Sequence, residues 1–353
     1  MARTDALWSE EGTTPDRIEA ALRQLLIDVH AERQEVVPAR VLNMIAFVDL
    51  DWTGEIANRL RGVGRYHASR LVVLAYEPKR ERLDARASVS TDDPATPGEL
   101  ALLRETVVVE LGDKHLDDLL TIADPLVVTD LPTLLWSPHG HHEVIDELMP
   151  LAQAVLIDSV EEPDYGEALD RAAALSAQAY VVDLAWLRST PWRERVAALF
   201  DPPAQRPELR RLSGVSVRHH PASTAAAALL VGWLSSRLAW RTPRLTAHNG
   251  ELAGKAHARD QDVNLRLLLA PELQVPGLQG LTIETADGER LRLDRGPGGL
   301  HARRSGPREA DREWTIPGAS RGEAGVLGEG IRQALLRDPT YTPALEAARE
   351  MLS

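Results

Sequence analysis

The chain has 353 residues, 44% of them hydrophobic and 26% charged, a globular balance far from the low-hydrophobicity signature of disorder and a length that suits two domains. Its formal net charge of −13 repels a phosphate backbone, and no basic stripe along the sequence reverses that field. Having no cysteine, the chain excludes disulfides, thiolate metal sites, a cysteine nucleophile and any thiol switch of its own.

A helix is expected over residues 14 to 33: Thr14 suits the cap, Pro15 the first helical position, and Ile18, Ala21, Leu22, Leu25, Leu26 and Val29 share one face. That stripe either packs on the domain that follows or is offered to a partner. VLNMIAFV, 41 to 48, reads as a buried strand, followed by a helical stretch to about Leu60 and a break at Gly62-Val63-Gly64. Further strands are expected at LVVLAYE (71 to 77), RLDARASVS (82 to 90) and TVVVEL (106 to 111), with a polar Pro/Gly loop between the last two. Residues 113 to 123 read as helix. Short apolar segments at 126 to 128 and 133 to 136, a helix near 142 to 149 and VLID (155 to 158) continue the alternation.

Strands separated by helices predict an α/β domain over 1 to 160, with a mixed or mostly parallel sheet and flanking helices. The boundary falls in the acidic, proline-interrupted SVEEPD, with the polar stretch 241 to 262 as the alternative. Residues 161 to 353 read as an α+β domain. A helix through 165 to 179 leads to YVVDLAW, a helix near 190 to 200, a strand at 213 to 220 and the very apolar helix 223 to 239. NLRLLLA, LTIETADGERLRLD with an Asp287-Gly288 hairpin signal, and REWTIP form an antiparallel meander, closed by helices near 322 to 337 and 342 to 351.

The N-terminal MARTDALWSEEGTTPD lacks the apolar region of a secretory signal. The longest apolar run, Ala225 to Leu234, is short of the roughly 18 to 20 residues that cross a bilayer, so the expected location is the cytoplasm. Neither glycine-rich phosphate cradle follows a strand and opens a helix, and the serine-hydrolase elbow is absent. His139, His141 and His142 in SPHGHH raise the metal question, but adjacent histidines do not easily converge on one ion, and a solvated turn that caps a helix or meets a partner is the plainer account. No catalytic residue, cofactor or metal site is assigned.

Three segments place aromatic and arginine side chains in loops or at element ends. They are GRYHASR with Arg65, Tyr66, His67 and Arg70; DPLVVTDLPTLLWSPHGH with Trp136 and His139; and DLAWLRSTPWRERV with Trp186, Arg188, Trp192 and Arg193. Tryptophan and arginine are enriched at the energetic centres of interfaces, so these residues are the candidates for partner binding; packing between helix and sheet is the competing role.

These segments, with RVLNMIAFVD, LLVGWLSSRLAW and DPTYTPALEAA in the same order, resemble the glucose-6-phosphate dehydrogenase assembly protein family, OpcA, of actinobacteria and cyanobacteria. The resemblance implies a non-catalytic accessory protein that binds glucose-6-phosphate dehydrogenase and promotes its active oligomer, and it brings no catalytic residues. The alternatives are a sugar-phosphate binder or enzyme using the arginine-bearing loops, and a histidine metal site.

Overall fold

A computed structural model describes residues 3–32, 40–63, 69–92, 102–259, 261–307, 311–317 and 322–353. The chain divides into two units, each assembled from three stretches: Met1–Ile157, Gln178–Val182 and Leu327–Arg337 make the first, and Asp158–Ala177, Asp183–Val326 and Asp338–Ser353 the second. Residues 241–262 fall inside the second unit.

An eight-stranded sheet organises the first unit, in the order β1 (Arg3–Glu10), β4 (Asp84–Asp92), β5 (Leu102–Leu111), β3 (Ser69–Tyr76), β2 (Leu42–Asp49), β6 (Thr133–Trp136), β7 (Ala154–Ile157) and β8 (Tyr180–Asp183). β5, β3, β2, β6 and β7 are parallel neighbours; β4 pairs antiparallel with β5, and β1 with β4. Every β2 residue from Leu42 to Val48 is buried, which is why this strand is apolar at every one of those positions but Asn43 and does not alternate. Helix α1 (Pro15–Glu32) starts where Thr14 C=O accepts the Ile18 amide at 3.0 Å, and it lays Ile18, Leu22 and Val29 against β1 and β4. Half of its apolar stripe is therefore buried within the chain, and Ala21, Leu25 and Leu26 are partly exposed.

Helix α2 (Thr53–Val63) links β2 to β3, and α4 (His142–Leu148) links β6 to β7. Because β2 lies between β3 and β6, strand order reverses beside it, and in such sheets the carboxyl ends at the reversal open the crevice where ligands are bound. In the short apolar segment at 126 to 128, the buried Leu126 closes a 3-10 turn (Asp124–Leu126) and the next two residues are loop. Asn43 at the start of β2 supplies its hydrogen bonds, donating from Nδ2 to Val128 C=O at 2.9 Å and accepting the Val128 amide on Oδ1 at 3.0 Å, so no strand partner is needed.

The second unit has its own eight-stranded sheet: β10 (Thr246–His248), β11 (Glu251–His257), β12 (Asp262–Leu269), β9 (Leu212–His219), β13 (Leu278–Thr285), β14 (Arg290–Gly296), β15 (Gly299–Ser305) and β16 (Arg312–Pro317). β9 pairs parallel with β12 and antiparallel with β13, and β13 to β16 form the meander. Val263, Leu265 and Leu267 are buried while Asp262, Asn264 and Arg266 are exposed, the alternation of a sheet covered on one side. Gly288 turns the β13–β14 hairpin at φ +83°.

Helices α5 (Tyr165–Ser176), α8 (Thr224–Leu238) and α10 (Tyr341–Leu352) pack on one another. α8 is buried nearly all round, and Gly232 allows α10 to close on it, since a Cβ there would stand 2.2 Å from Ala344 C=O. The first unit is thus α/β with a parallel-rich sheet, and the second α+β with an antiparallel meander and terminal helices.

Candidate functional site

At the carboxyl edge of the first sheet, β2 ends in Asp49 and continues through a 3-10 turn, Leu50–Trp52, into α2. A dinucleotide-binding turn would need glycines here, so that backbone amides could approach a pyrophosphate. This chain has Asp49, Asp51, Trp52 and, in the first turn of α2, Glu55. Carboxylates at that helix start take the place an anion would use. Thr53 Oγ1 donates to Leu50 C=O at 2.8 Å and fixes the turn, while the Trp52 indole stands 48% exposed.

The turn after β6 completes the edge. Gly140 and His141 both have positive φ, 89° and 55°, a conformation that costs a side-chain-bearing residue such as His141 and reverses the chain into α4. His141 Nε2 lies 3.0 Å from Asp49 Oδ1 and its Nδ1 3.6 Å from Glu143, and its ring meets Phe47 edge-on at 5.0 Å. His139 points elsewhere, with its ring centroid 5.3 Å from that of Trp52. Its Nδ1 is shut off from solvent without a hydrogen-bond partner; burial lowers its pKa, and the nearby Glu55 and Asp49 only partly oppose that. Tyr76 at the end of β3 donates to Asp113, a bond that with burial and the Asp113 charge raises the phenol to about 12. The three histidines of SPHGHH are thus not gathered: among the described residues no group of three histidine or carboxylate side chains is placed to hold a metal ion.

Other marked residues serve the fold. Trp136 is buried beneath the Arg59 guanidinium, 5.1 Å from the ring centroid. Arg70 is buried as well: its Nε donates to Glu105 at 2.7 Å and its Nη1 to Leu126 C=O at 3.2 Å, while Arg40 engages the other Glu105 oxygen. Arg65, Tyr66 and His67 lie outside the described residues.

DLAWLRSTPWRERV forms a knot inside the second unit. β8 ends at Asp183 because its carboxylate accepts the Ala185 amide at 2.9 Å and caps α6 (Leu184–Arg188), where the sequence suggested that YVVDLAW runs on. Asp183 also accepts Ser159 Oγ at 2.5 Å and Tyr341 OH at 3.3 Å; burial, then the charge of Asp158, raises its pKa to about 6. Arg188 bridges Asp158, at 2.7 and 2.8 Å, and Glu323, at 2.8 and 3.1 Å. Trp186 Nε1 donates to Asp338 at 2.9 Å, and the Arg193 guanidinium, on α7 (Thr190–Phe200), lies 3.5 Å over the same indole. Trp186, Trp192 and Arg193 are all buried. Asp158, Asp183 and Asp338 are each the first second-unit residue after the chain leaves the first unit, so one short segment ties down three points of entry.

Trp52 escaped the sequence reading, which ran a helix through it. The signal was present as an aromatic between carboxylates directly after a largely apolar strand, but its value depends on β2 bordering the strand-order reversal, which only the topology reveals.

Comparison with known proteins bears on both units. Of two family models for a glucose-6-phosphate dehydrogenase subunit, the one describing its N-terminal domain matches residues 61–174, and the one describing its C-terminal domain matches residues 179–345. A Synechococcus elongatus protein named for the OxPP cycle, OpcA, is 27% identical over 172 residues, 47% of this chain and 38% of that protein. Its namesake from Synechocystis sp. is 29% identical over 120 residues, 33% of this chain and 25% of that protein. The matches take in well under half the length of these relatives. Among solved structures, an oxidoreductase domain protein from Kribbella flavida has a TM-score of 0.48 at 14% identity, over 88% of this chain and 95% of that one.

Proposed function

We propose, from the premise that this chain belongs to the OpcA family of glucose-6-phosphate dehydrogenase subunits, that it is an accessory protein that binds that dehydrogenase and promotes or stabilises its active oligomer. The observation that carries the reading is the pair of dehydrogenase-subunit domain models, which between them match most of both units. Linkage supplies the mechanism: a protein that prefers the active oligomer shifts the population by its differential affinity, about 2.7 kcal/mol when present at about 100 times its dissociation constant for that state alone. The contact is expected to bury about 1,200 to 2,000 Å² in total.

That the chain does no dehydrogenase chemistry of its own is part of the proposal. It is supported by the turn after β2, where Asp49, Asp51 and Glu55 occupy the position at which a nicotinamide dinucleotide would need glycine backbone and an uncharged approach. The arginine-loop alternative loses one of its supports, because Arg70 is spent on Glu105. No helix among the described residues is long and apolar enough to cross a membrane, in keeping with a partner met in the cytoplasm.

The test is to mix the purified chain with the dehydrogenase and measure mass distribution and initial rates. A heavier complex or an enriched oligomer, together with a raised rate or substrate affinity, is expected. An unchanged oligomer distribution and unchanged kinetics would refute the proposal. Calorimetry with glucose 6-phosphate on the isolated chain is expected to show no saturable heat.

A further inference from the structure

We infer that the carboxyl edge of the first sheet, centred on the exposed indole of Trp52 and rimmed by Asp49, Asp51, Glu55, Asp113 and Glu143, is the face that receives an arginine- or lysine-bearing patch of the dehydrogenase. The inference rests on the function proposed above and adds where the partner sits and what chemistry it presents.

Three observations converge on this face. The first is that Trp52 is a half-exposed tryptophan on a turn held by the Thr53 to Leu50 hydrogen bond and backed by the His139 ring. A large aromatic already fixed in place loses little freedom when a partner covers it, which is what makes tryptophan an energetic centre of interfaces. The second is the sign of the surroundings. Glu55 and Asp49 act on His139, and Asp113, Asp49 and Glu143 on Tyr76, while Arg59, which acts on His139, lies over Trp136 and stands 3.9 Å from Glu55, and Lys114, beside Asp113, is held 3.2 Å from Glu81. The rim therefore carries surplus negative charge and steers a basic surface in while turning an anion away. The third is that the edge is not organised around a small ligand: His141 Nε2 is taken by Asp49, Tyr76 by Asp113, and His139 Nδ1 is closed off behind the indole. What is left accessible is a ring and a rim, the components of a protein contact.

The aromatic and the charges can be tested separately, on full-length chain and purified dehydrogenase, by surface plasmon resonance at about 50 and about 300 mM salt. Trp52→Ala is expected to weaken binding by about 30-fold or more at both salts. The double variant Glu55→Lys/Glu143→Lys is expected to bind weakly at low salt and to lose most of the salt dependence seen with the unmodified chain. Val275→Ala, an exposed apolar residue of the second unit, is expected to bind as the unmodified chain does. If the unmodified chain binds and both edge variants bind equally well, this face is not the contact and the inference is overturned, with the proposed function intact. If the unmodified chain does not bind the dehydrogenase at all, the function fails and the inference with it. Should Trp52→Ala lose its thermal transition, the charge variant decides alone.

Discussion

In the second unit Trp186 is 2% exposed, its Nε1 bonded to Asp338 and its face covered by Arg193, whereas in the first unit Trp52 is 48% exposed, with the His139 ring against it. Both tryptophans sit where a strand gives way to helix, both have acidic neighbours, and residue type does not tell them apart. The difference lies in where the polar partners come from. Around Trp186, Asp158, Asp183 and Asp338 arrive from three separate stretches of chain and accept from Arg188, from Ser159 and from the indole respectively. Around Trp52 the carboxylates belong to the edge itself: Asp51, Glu55 and Glu143 are exposed, and Asp49 meets His141. The same mixture of tryptophan, arginine and aspartate thus closes a core in one place and dresses a surface in the other.

The largest effect expected to break or sharpen this contrast is on Trp186. Trp186→Ala removes a buried ring, a hydrogen bond to Asp338 and the surface over which Arg193 lies, and should cost about 3 to 5 kcal/mol in urea denaturation. A loss below about 1 kcal/mol, combined with lost dehydrogenase binding, would make the knot a contact surface after all. Next comes Asp183. Its folded pKa, about 6, is above its ordinary value of 3.8, so the folded protein holds this proton more tightly than the unfolded chain. The stability this confers is complete below about pH 3.8, falls as pH rises to about 6, and is flat beyond; the span is up to about 3 kcal/mol. Asp183→Asn should remove this group's share of that decline, which urea midpoints from pH 4 to 7 would show as a flatter profile. A smaller effect follows for Arg188→Ala, which strands the nearly buried Asp158. Because Arg188 keeps some solvent and Glu323 is exposed, the loss should be about 2 kcal/mol, below that of a fully buried pair.

How much of this was legible in the sequence depends on how local the cause is. β2 could be read because a strand buried on both faces is apolar almost throughout, Asn43 being the exception, and α1 because its cap and stripe are properties of one segment. The β13–β14 hairpin could be read because Asp287-Gly288 fixes the turn. β1 and β11 could not: β1 is an edge strand that exposes Leu7, and β11 carries glycine and an exposed lysine, buries only Ala256, and is a strand through its pairing with β12 and β10. At the site, the marked residues were chosen by type, and type is blind to long-range partners. Arg70 meets Glu105 from 35 residues away and Trp186 meets Asp338 from 152, distances across which no pattern of spacing carries information. Trp52 was missed for the converse reason, since its neighbours are local but its position at the strand-order reversal is set by β6, which joins the sheet much later in the chain.

The smallest effect tests what the exposed indole does for the ring behind it. Burial is the first cause holding His139 below the ordinary histidine pKa, and the Trp52 ring packs against it, tilted by 46°. Trp52→Ala should change stability by no more than about 0.5 kcal/mol, as surface substitutions do. It should also let water reach the imidazole, leaving the attraction of Glu55 and Asp49 for the protonated form less opposed, so that His139 titrates upward toward about 6.5. A folded pKa below the unfolded one favours the native state only above that range. The unmodified chain therefore gains a little stability from His139 at neutral pH and loses it as pH falls below about 6.5, and the variant should lose less. Proton-resolved titration of the His139 ring in both proteins measures this directly. An unmoved pKa would mean that the backbone of the 137–141 turn, and not the indole, shuts this nitrogen off, and that Trp52 stands free of the edge it crowns.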